Sequence, residues 1–195
     1  MGFFRDLFRC IFVWWIKPAS EEEIAKAHAI ATTAHGLTKS GKPSPGDTVL
    51  AMMMTDLHLR FPDKPIIPQE PVALAAPDIA YFAIAKPPTG NIFGSSNMAW
   101  NTRTVARFDA DACRERGCKR VVLVAASWAA PRMKWELERC GMEVLVAKVP
   151  PYRKRTHAHP GCIYWYGRGG LWRCLLVEAT RGRAHYMSYW LEGLI

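Results

Sequence analysis

The chain has 195 residues, half of them hydrophobic, with a net charge of +9 and an isoelectric point near 9.5. That length suits one substantial core in a single domain, and the charge favours an anionic partner such as a phosphate-bearing ligand or an anionic membrane surface. Nucleic-acid binding is disfavoured, because the sequence has no zinc-finger spacing, no aromatic RNA-binding strand and no basic helical arm.

The first seventeen residues combine apolar side chains with arginine and lysine, and two structures fit them. In the first, apolar residues spaced three and four apart form one face of a basic amphipathic helix that lies in a membrane interface. That face contains Phe4, Leu7, Phe8, Ile11, Phe12 and Trp15. In the second, residues 10–16 form the first buried strand of a sheet. The apolar stretch is too short to span a bilayer, which needs about 20 residues, and no signal-peptide cleavage site follows it.

Ser20 and the three glutamates that follow it are a strong signal for the start of a helix. Glu23 completes a capping box, and the acidic side chains complement the positive end of the helix. We predict that this helix continues to about His35 and stops at Gly36. Its two histidines, His28 and His35, lie seven residues apart without a third ligand, so no metal site is predicted there.

The next part of the chain alternates turns, helices and short apolar runs. The predicted elements are a connector over 39–46, a helix from Asp47 to Arg60, a strand over 64–70, a helix over 72–76, a strand over 79–85 and a loop over 86–98. This last loop is long enough to take part in function.

The clearest pattern spans residues 97–150 and predicts helix, strand, helix and strand in that order. The helices begin near residues 101 and 131, and the strands cover 120–126 and 143–149. The first of these strands is a nearly continuous β-branched run, which is typical of a parallel strand covered on both faces.

After an irregular stretch over 151–170, a long amphipathic helix is predicted over 171–191. Glu178 lies in its otherwise apolar middle and is expected to pair with an arginine. Together the elements predict an α/β fold, a three-layer sandwich with a mostly parallel, Rossmann-like sheet and a long C-terminal helix. Residues 18–195 would form a single domain, preceded by the segment 1–17.

From Asn101 onward the sequence resembles the YdcF/SanA/ElyC family, whose domain is an α/β sandwich with a parallel sheet. The resemblance rests on the helix start Asn101-Thr102-Arg103, the strand over 121–124 and the turn over 125–132; the segments 65–75 and 172–186 are also similar. The histidine that the family carries before its arginine is replaced by Ala129, and no glycine-rich loop is visible after the first apolar run. For relatives, the resemblance implies S-adenosylmethionine or a nucleotide as cofactor, or a role in the bacterial envelope.

Ligands of open parallel sheets bind beyond the carboxyl ends of the strands, and polar residues from several predicted strands meet there. The predicted ligand-binding residues are Gln69, Glu70, Asn101, Thr102, Arg103, Ser127 and Arg132. Arg132 opens a helix, where its charge opposes the helix dipole, so we expect an anionic partner such as Glu70 or a ligand. No catalytic residue is assigned.

Two functions therefore remain open. The first is a domain that binds a small anionic or nucleotide-like ligand at the carboxyl edge of its sheet. The second is a non-catalytic envelope or interaction protein, tethered to a membrane by its basic amphipathic N-terminus. Six cysteines without a CxxC pair or a metal-ligand spacing argue against zinc and favour a cytoplasmic chain, peripheral to the membrane in the second case.

Overall fold

The structure is a computed structural model, and it describes residues 2–86, 102–149, 171–184 and 186–187. The α-helices are α1 (Gly2–Phe12), α2 (Glu21–Ala25), α3 (Pro45–Arg60), α4 (Glu70–Ala75), α5 (Thr102–Glu115), α6 (Ala130–Arg139) and α7 (Leu171–Val177). The strands are β1 (Ala29–Thr32), β2 (Ile66–Ile67), β3 (Arg120–Val124) and β4 (Glu143–Val146). The predicted loop beyond residue 86, Asn101 and the irregular stretch over 151–170 lie outside the described residues.

The four strands form one sheet in the order β2-β1-β3-β4, and every neighbouring pair is parallel. Ile30 in β1 lies opposite Ile66 on one side and Val122 on the other, which makes β1 a central strand. The chain first adds β2 beside β1 and then returns to build β3 and β4 on the opposite side. The direction of winding therefore reverses between β1 and β3, and the predicted parallel α/β fold is confirmed.

Alternate residues of the strands build two cores, one on each face of the sheet. Ile30 and Val122 pack with α3 through Leu50. On the other face, Leu123 packs with α5 and α6 through residues such as Val105. Helices thus cover both faces of the sheet, because a parallel sheet is apolar on both sides and has to be buried on both.

The N-terminal segment is helical, so the alternative of a first strand over 10–16 is wrong. Helix α1 extends to Phe12, and the indole nitrogen of Trp14 then donates to the carbonyl of Ile11 at 3.0 Å. The first strand of the sheet along the chain is instead β1, whose four residues are all buried.

The predicted helix from Ser20 to His35 begins as expected but is far shorter. Ser20 and Glu23 form the capping box, and α2 then ends at Ala25. The following Ala-Ile-Ala-Thr run is β1, because small side chains fit between two neighbouring strands and two helical layers. The prediction was wrong here because an alanine-rich run has high helix propensity, and the tertiary position overrides that propensity.

Two further predictions need correction. Helix α3 is capped by Ser44, not Asp47, and Asp47 is the return partner of a second capping box. Residues 79–85 do not form a regular strand: only Ala85 makes a bridge, to Gln69, while the Phe82 amide donates to Ile66 O at 3.0 Å. These bonds let the segment follow β2 without a continuous ladder.

A long C-terminal helix is not seen in the described part of the chain. Helix α7 has seven residues and passes directly into a π-helical turn, Glu178–Gly182. A π turn is wider than an α turn and changes the direction of the side chains that follow. Glu178, its first residue, is fully buried.

Candidate functional site

Gln69 stands at the carboxyl end of β2, as predicted, but its polar groups are used inside the fold. Its side-chain oxygen accepts from the Ala34 amide at 2.5 Å, and its own amide donates to Thr32 Oγ1 at 3.2 Å. Gln69 thus joins the ends of β1 and β2. Glu70 opens α4 beside it and is half-buried.

Arg132 and Thr102 are brought together, because each stands in the first turn of one of two neighbouring helices. Arg132 Nη1 donates to Thr102 Oγ1, and its Nε lies 3.0 and 3.1 Å from the two carboxylate oxygens of Glu178. The expected anionic partner of Arg132 is therefore Glu178, not Glu70. The expectation that Glu178 pairs with an arginine is confirmed.

The point where the winding reverses is lined by residues that follow β1 and β3. Ser127 is partly exposed there, while the His35 and Trp128 rings meet edge to face at 5.8 Å between their centres. His35 was missed as a residue of this edge, because the predicted helix ran from Ser20 to His35 and so hid the strand that ends at Thr32, three residues before it. Recognition of the buried strand over 29–32 would have placed His35 at this edge.

Asp47 fixes the loop that carries His35. Its carboxylate accepts from the His35 amide at 2.6 Å, from the Ser44 amide at 2.9 Å and from the Ser44 hydroxyl at 2.6 Å. Burial raises the pKa of Asp47 to about 6, although these hydrogen bonds act in the opposite direction. Residues 39–46, predicted as a connector, therefore include Ser44, which is fixed by Asp47 together with the loop of His35.

Arg103, the remaining described residue of the predicted site, is partly buried near the start of α5. Asn101 lies outside the described residues. Within the described ranges, no three His, Cys, Asp or Glu side chains are grouped so that they could hold a metal ion.

Helix α1 is the second candidate site, and its orientation is the reverse of an ordinary surface helix. Its polar and small residues Asp6 and Cys10 are buried against the domain. Five large apolar residues of this segment face solvent, while Leu7, predicted on the same face, is only partly exposed. Their exposed fractions are 77% for Phe4, 58% for Phe8, 52% for Ile11, 65% for Phe12 and 77% for Trp15 just beyond the helix.

The buried side of α1 is held by the C-terminal segment. Arg183 donates from Nη1 to Cys10 O and from Nη2 to Val13 O, the latter at 2.7 Å. Cys10 also packs with Trp135 and Tyr186 in a small apolar cluster. The helix is thus ordered and fixed in rotation before any partner arrives.

Cations flank the exposed apolar face. The Arg5 side chain is 61% exposed on α1, and Lys17 is exposed two residues beyond Trp15. Among the helices that the structure describes, none combines the length and apolarity needed to cross a bilayer.

Comparison with family models, with curated proteins and with solved structures gave no match.

Proposed function

We propose that this protein is a peripheral membrane protein whose α/β domain is held at an anionic bilayer surface by α1. The observation that carries the proposal is the orientation of α1, which buries Asp6 and Cys10 and turns Phe4, Phe8, Ile11, Phe12 and Trp15 outward. A helix with bulky apolar residues on one face and cations at its flanks is the usual form of an interfacial membrane anchor. The free thiols of Cys10, Cys113, Cys118 and Cys140 support a cytoplasmic location.

The size of the apolar face is sufficient for reversible attachment. Full burial of one large apolar side chain is worth about 1.5–3 kcal/mol, so five partly buried ones supply on the order of 5 kcal/mol. Arg5 and Lys17 each add about 1 kcal/mol near an anionic surface. Because α1 is already folded and clamped, little of this free energy is lost in ordering the helix.

The test is co-sedimentation with vesicles of phosphatidylcholine, with and without added phosphatidylglycerol as the anionic lipid. We expect Phe8→Ser with Trp15→Ser to lower the binding constant at least tenfold on both vesicles. The matched control is Met52→Ser with Leu59→Ser, which removes two equally exposed apolar side chains from α3. Equal losses in the two double variants, or no binding by the wild type, would overturn the proposal.

A second candidate function is the binding of a small anionic or nucleotide-like ligand at the carboxyl edge. The reversal of winding between β1 and β3 supports it, since ligands of doubly wound sheets bind at that point. Thr33 and Ser127 are partly exposed there. Membership of the YdcF/SanA/ElyC family and binding of S-adenosylmethionine or a nucleotide belong to this second proposal.

A thermal-shift screen tests this second function with nucleotides, S-adenosylmethionine and sugar phosphates. A ligand at this edge should stabilise the wild type and should lose its effect in Ser127→Tyr, which adds a bulky ring where β1 and β3 end. Ser40→Tyr, on an exposed turn, is the control. A screen without any stabilising ligand, or a shift that survives Ser127→Tyr, contradicts binding at this point.

A further inference from the structure

Helices α5 and α6 lie side by side in parallel, and two contacts fix their alignment. At one end, Arg132 donates to Thr102. At the other end, Arg114 Nη2 donates to the carbonyl of Cys140, which follows the last residue of α6. The outer seam between the two helices therefore has a defined set of facing residues.

That seam is rich in arginine. Arg103 and Arg107 are one turn apart on α5, and Arg132 and Arg139 are two turns apart on α6. All four act on the buried Glu136 carboxyl between them, where they lower a pKa that burial raises. The four guanidinium groups are thus close enough to one buried carboxyl group to act on it electrostatically.

The arginines differ in the partners that their guanidinium groups already contact. Arg132 is neutralised by Glu178. Arg107 is exposed, and among the described residues it has no hydrogen bond or ion pair. Arg139 lies over the Tyr186 ring at 4.8 Å, and Tyr186 packs against Cys10 of α1. The arginine seam therefore adjoins the surface on which α1 is mounted.

We propose that this arginine seam binds a phosphate group, with Arg107 as its accessible contact. Guanidinium groups hold phosphate oxygens through paired, charge-assisted hydrogen bonds. Glu136 opposes the bound anion by its charge, but it also offsets part of the repulsion among the four arginines when the seam is empty. If the group is a phospholipid headgroup, the seam gives the attachment by α1 a preference for anionic lipid; this reading rests on the proposed membrane function. A soluble phosphate compound would use the same contacts.

The experiment compares Arg107→Gln with Lys119→Gln, which removes the same charge from an exposed turn after α5. Vesicles of phosphatidylcholine alone and with phosphatidic acid measure the lipid arm, and pyrophosphate in a thermal-shift assay measures the soluble arm. We expect Arg107→Gln to weaken binding to phosphatidic acid vesicles at least fivefold, with less than a twofold effect of Lys119→Gln. Binding to pure phosphatidylcholine, which depends on α1, should stay unchanged.

The outcomes separate the two proposals. If pyrophosphate stabilises the wild type but not Arg107→Gln while vesicle binding is the same for both, the seam stands and its ligand is soluble. If Arg107→Gln and Lys119→Gln behave alike in both assays, the seam is overturned, whatever α1 does. If the variant Phe8→Ser with Trp15→Ser loses all vesicle binding and is still stabilised by pyrophosphate, α1 and the seam act independently.

Discussion

The Arg183 guanidinium lies 3.7 Å from the centre of the Trp14 ring, immediately after the end of α1. From there it donates to the carbonyls of Cys10 and Val13, which belong to the helix end and would otherwise lack partners. A cation at this position also complements the negative end of the helix dipole. Arg183 is thus the link that fixes the rotation of α1 and, through it, the side that faces outward.

Replacing Arg183 by methionine should loosen α1 without unfolding the domain. The variant loses two charge-assisted hydrogen bonds and a cation–π contact, together worth about 2–4 kcal/mol. It also loses a 3.9 Å ion pair with Glu178, but Glu178 keeps its nearer partner Arg132. Hydrogen exchange followed by mass spectrometry should show the amides of α1 exchanging at least 30-fold faster, which corresponds to about 2 kcal/mol. Arg173→Met, at an exposed position of α7, is the control. Unchanged protection of α1 in Arg183→Met would refute the role of this link.

The Arg132–Glu178 pair gives a second prediction. Arg132→Ala should lower the free energy of unfolding by about 3–5 kcal/mol, because Glu178 then stays buried without its nearest cation. Replacing both residues by methionine should cost less, since the buried carboxylate is removed together with its nearest cation; the buried Arg183, 3.9 Å from Glu178, then loses this weaker partner. Urea unfolding of the single and double variants measures the difference. If the double variant is as unstable as Arg132→Ala, the unpaired Glu178 carboxylate is not the cause of the loss.

The fold was most predictable where local pattern and tertiary position agree. Helices α5 and α6 and strands β3 and β4 were found within a few residues, because their apolar periodicity persists over their whole length. Strand β1 was missed because Ala29 and Ala31 have little strand propensity, and only the two neighbouring strands make this segment extended. The first turn of α2 was predicted correctly because capping is a local property of Ser20 and Glu23.

The candidate site was predictable only in part, for a related reason. Thr102 and Arg132 both lie in the first turns of adjacent parallel helices, so the topology alone brings them together. The partner of Arg132, Glu178, is 46 residues away in sequence and is placed by the π turn, which no local pattern revealed. Residues 10–16 were ambiguous between helix and strand because a short apolar run fits both structures. Only the tertiary structure decides between them.

Gly46 allows a close approach that an alanine would prevent. A Cβ atom at this position would lie 2.5 Å from His35 Cδ2 and 2.7 Å from Cγ, inside any normal contact. Although alanine has the higher helix propensity, Gly46→Ala should destabilise the protein by about 1–3 kcal/mol through overpacking. His35→Ala in the same chain should remove this cost, as measured by thermal or urea unfolding. Wild-type stability of Gly46→Ala would show that the ring moves aside freely, and a Gly46→Ala cost that is unchanged in the His35→Ala background would show that the ring is not its source.

Asp109 is a residue of α5 whose carboxyl group is buried in the core. Neither of its oxygens has a hydrogen-bond partner among the described residues. Burial raises its pKa well above the ordinary value, so the folded protein holds a proton that the unfolded chain releases above about pH 4. The free energy of unfolding must then fall as the pH rises above this point, by up to about 1.4 kcal/mol per pH unit until the folded-state pKa is reached.

Asp109→Asn removes the titration at nearly constant volume. Its free energy of unfolding should therefore equal that of the wild type near pH 4 and exceed it increasingly toward pH 7. Urea unfolding at intervals of pH measures both curves, and Asp111→Asn, an exposed neighbour on the same helix, should follow the wild type. Parallel curves for Asp109→Asn and the wild type would mean that Asp109 ionises inside the fold. In that case α5 must move enough to admit water, because an unpartnered carboxylate cannot stay in a dry apolar core.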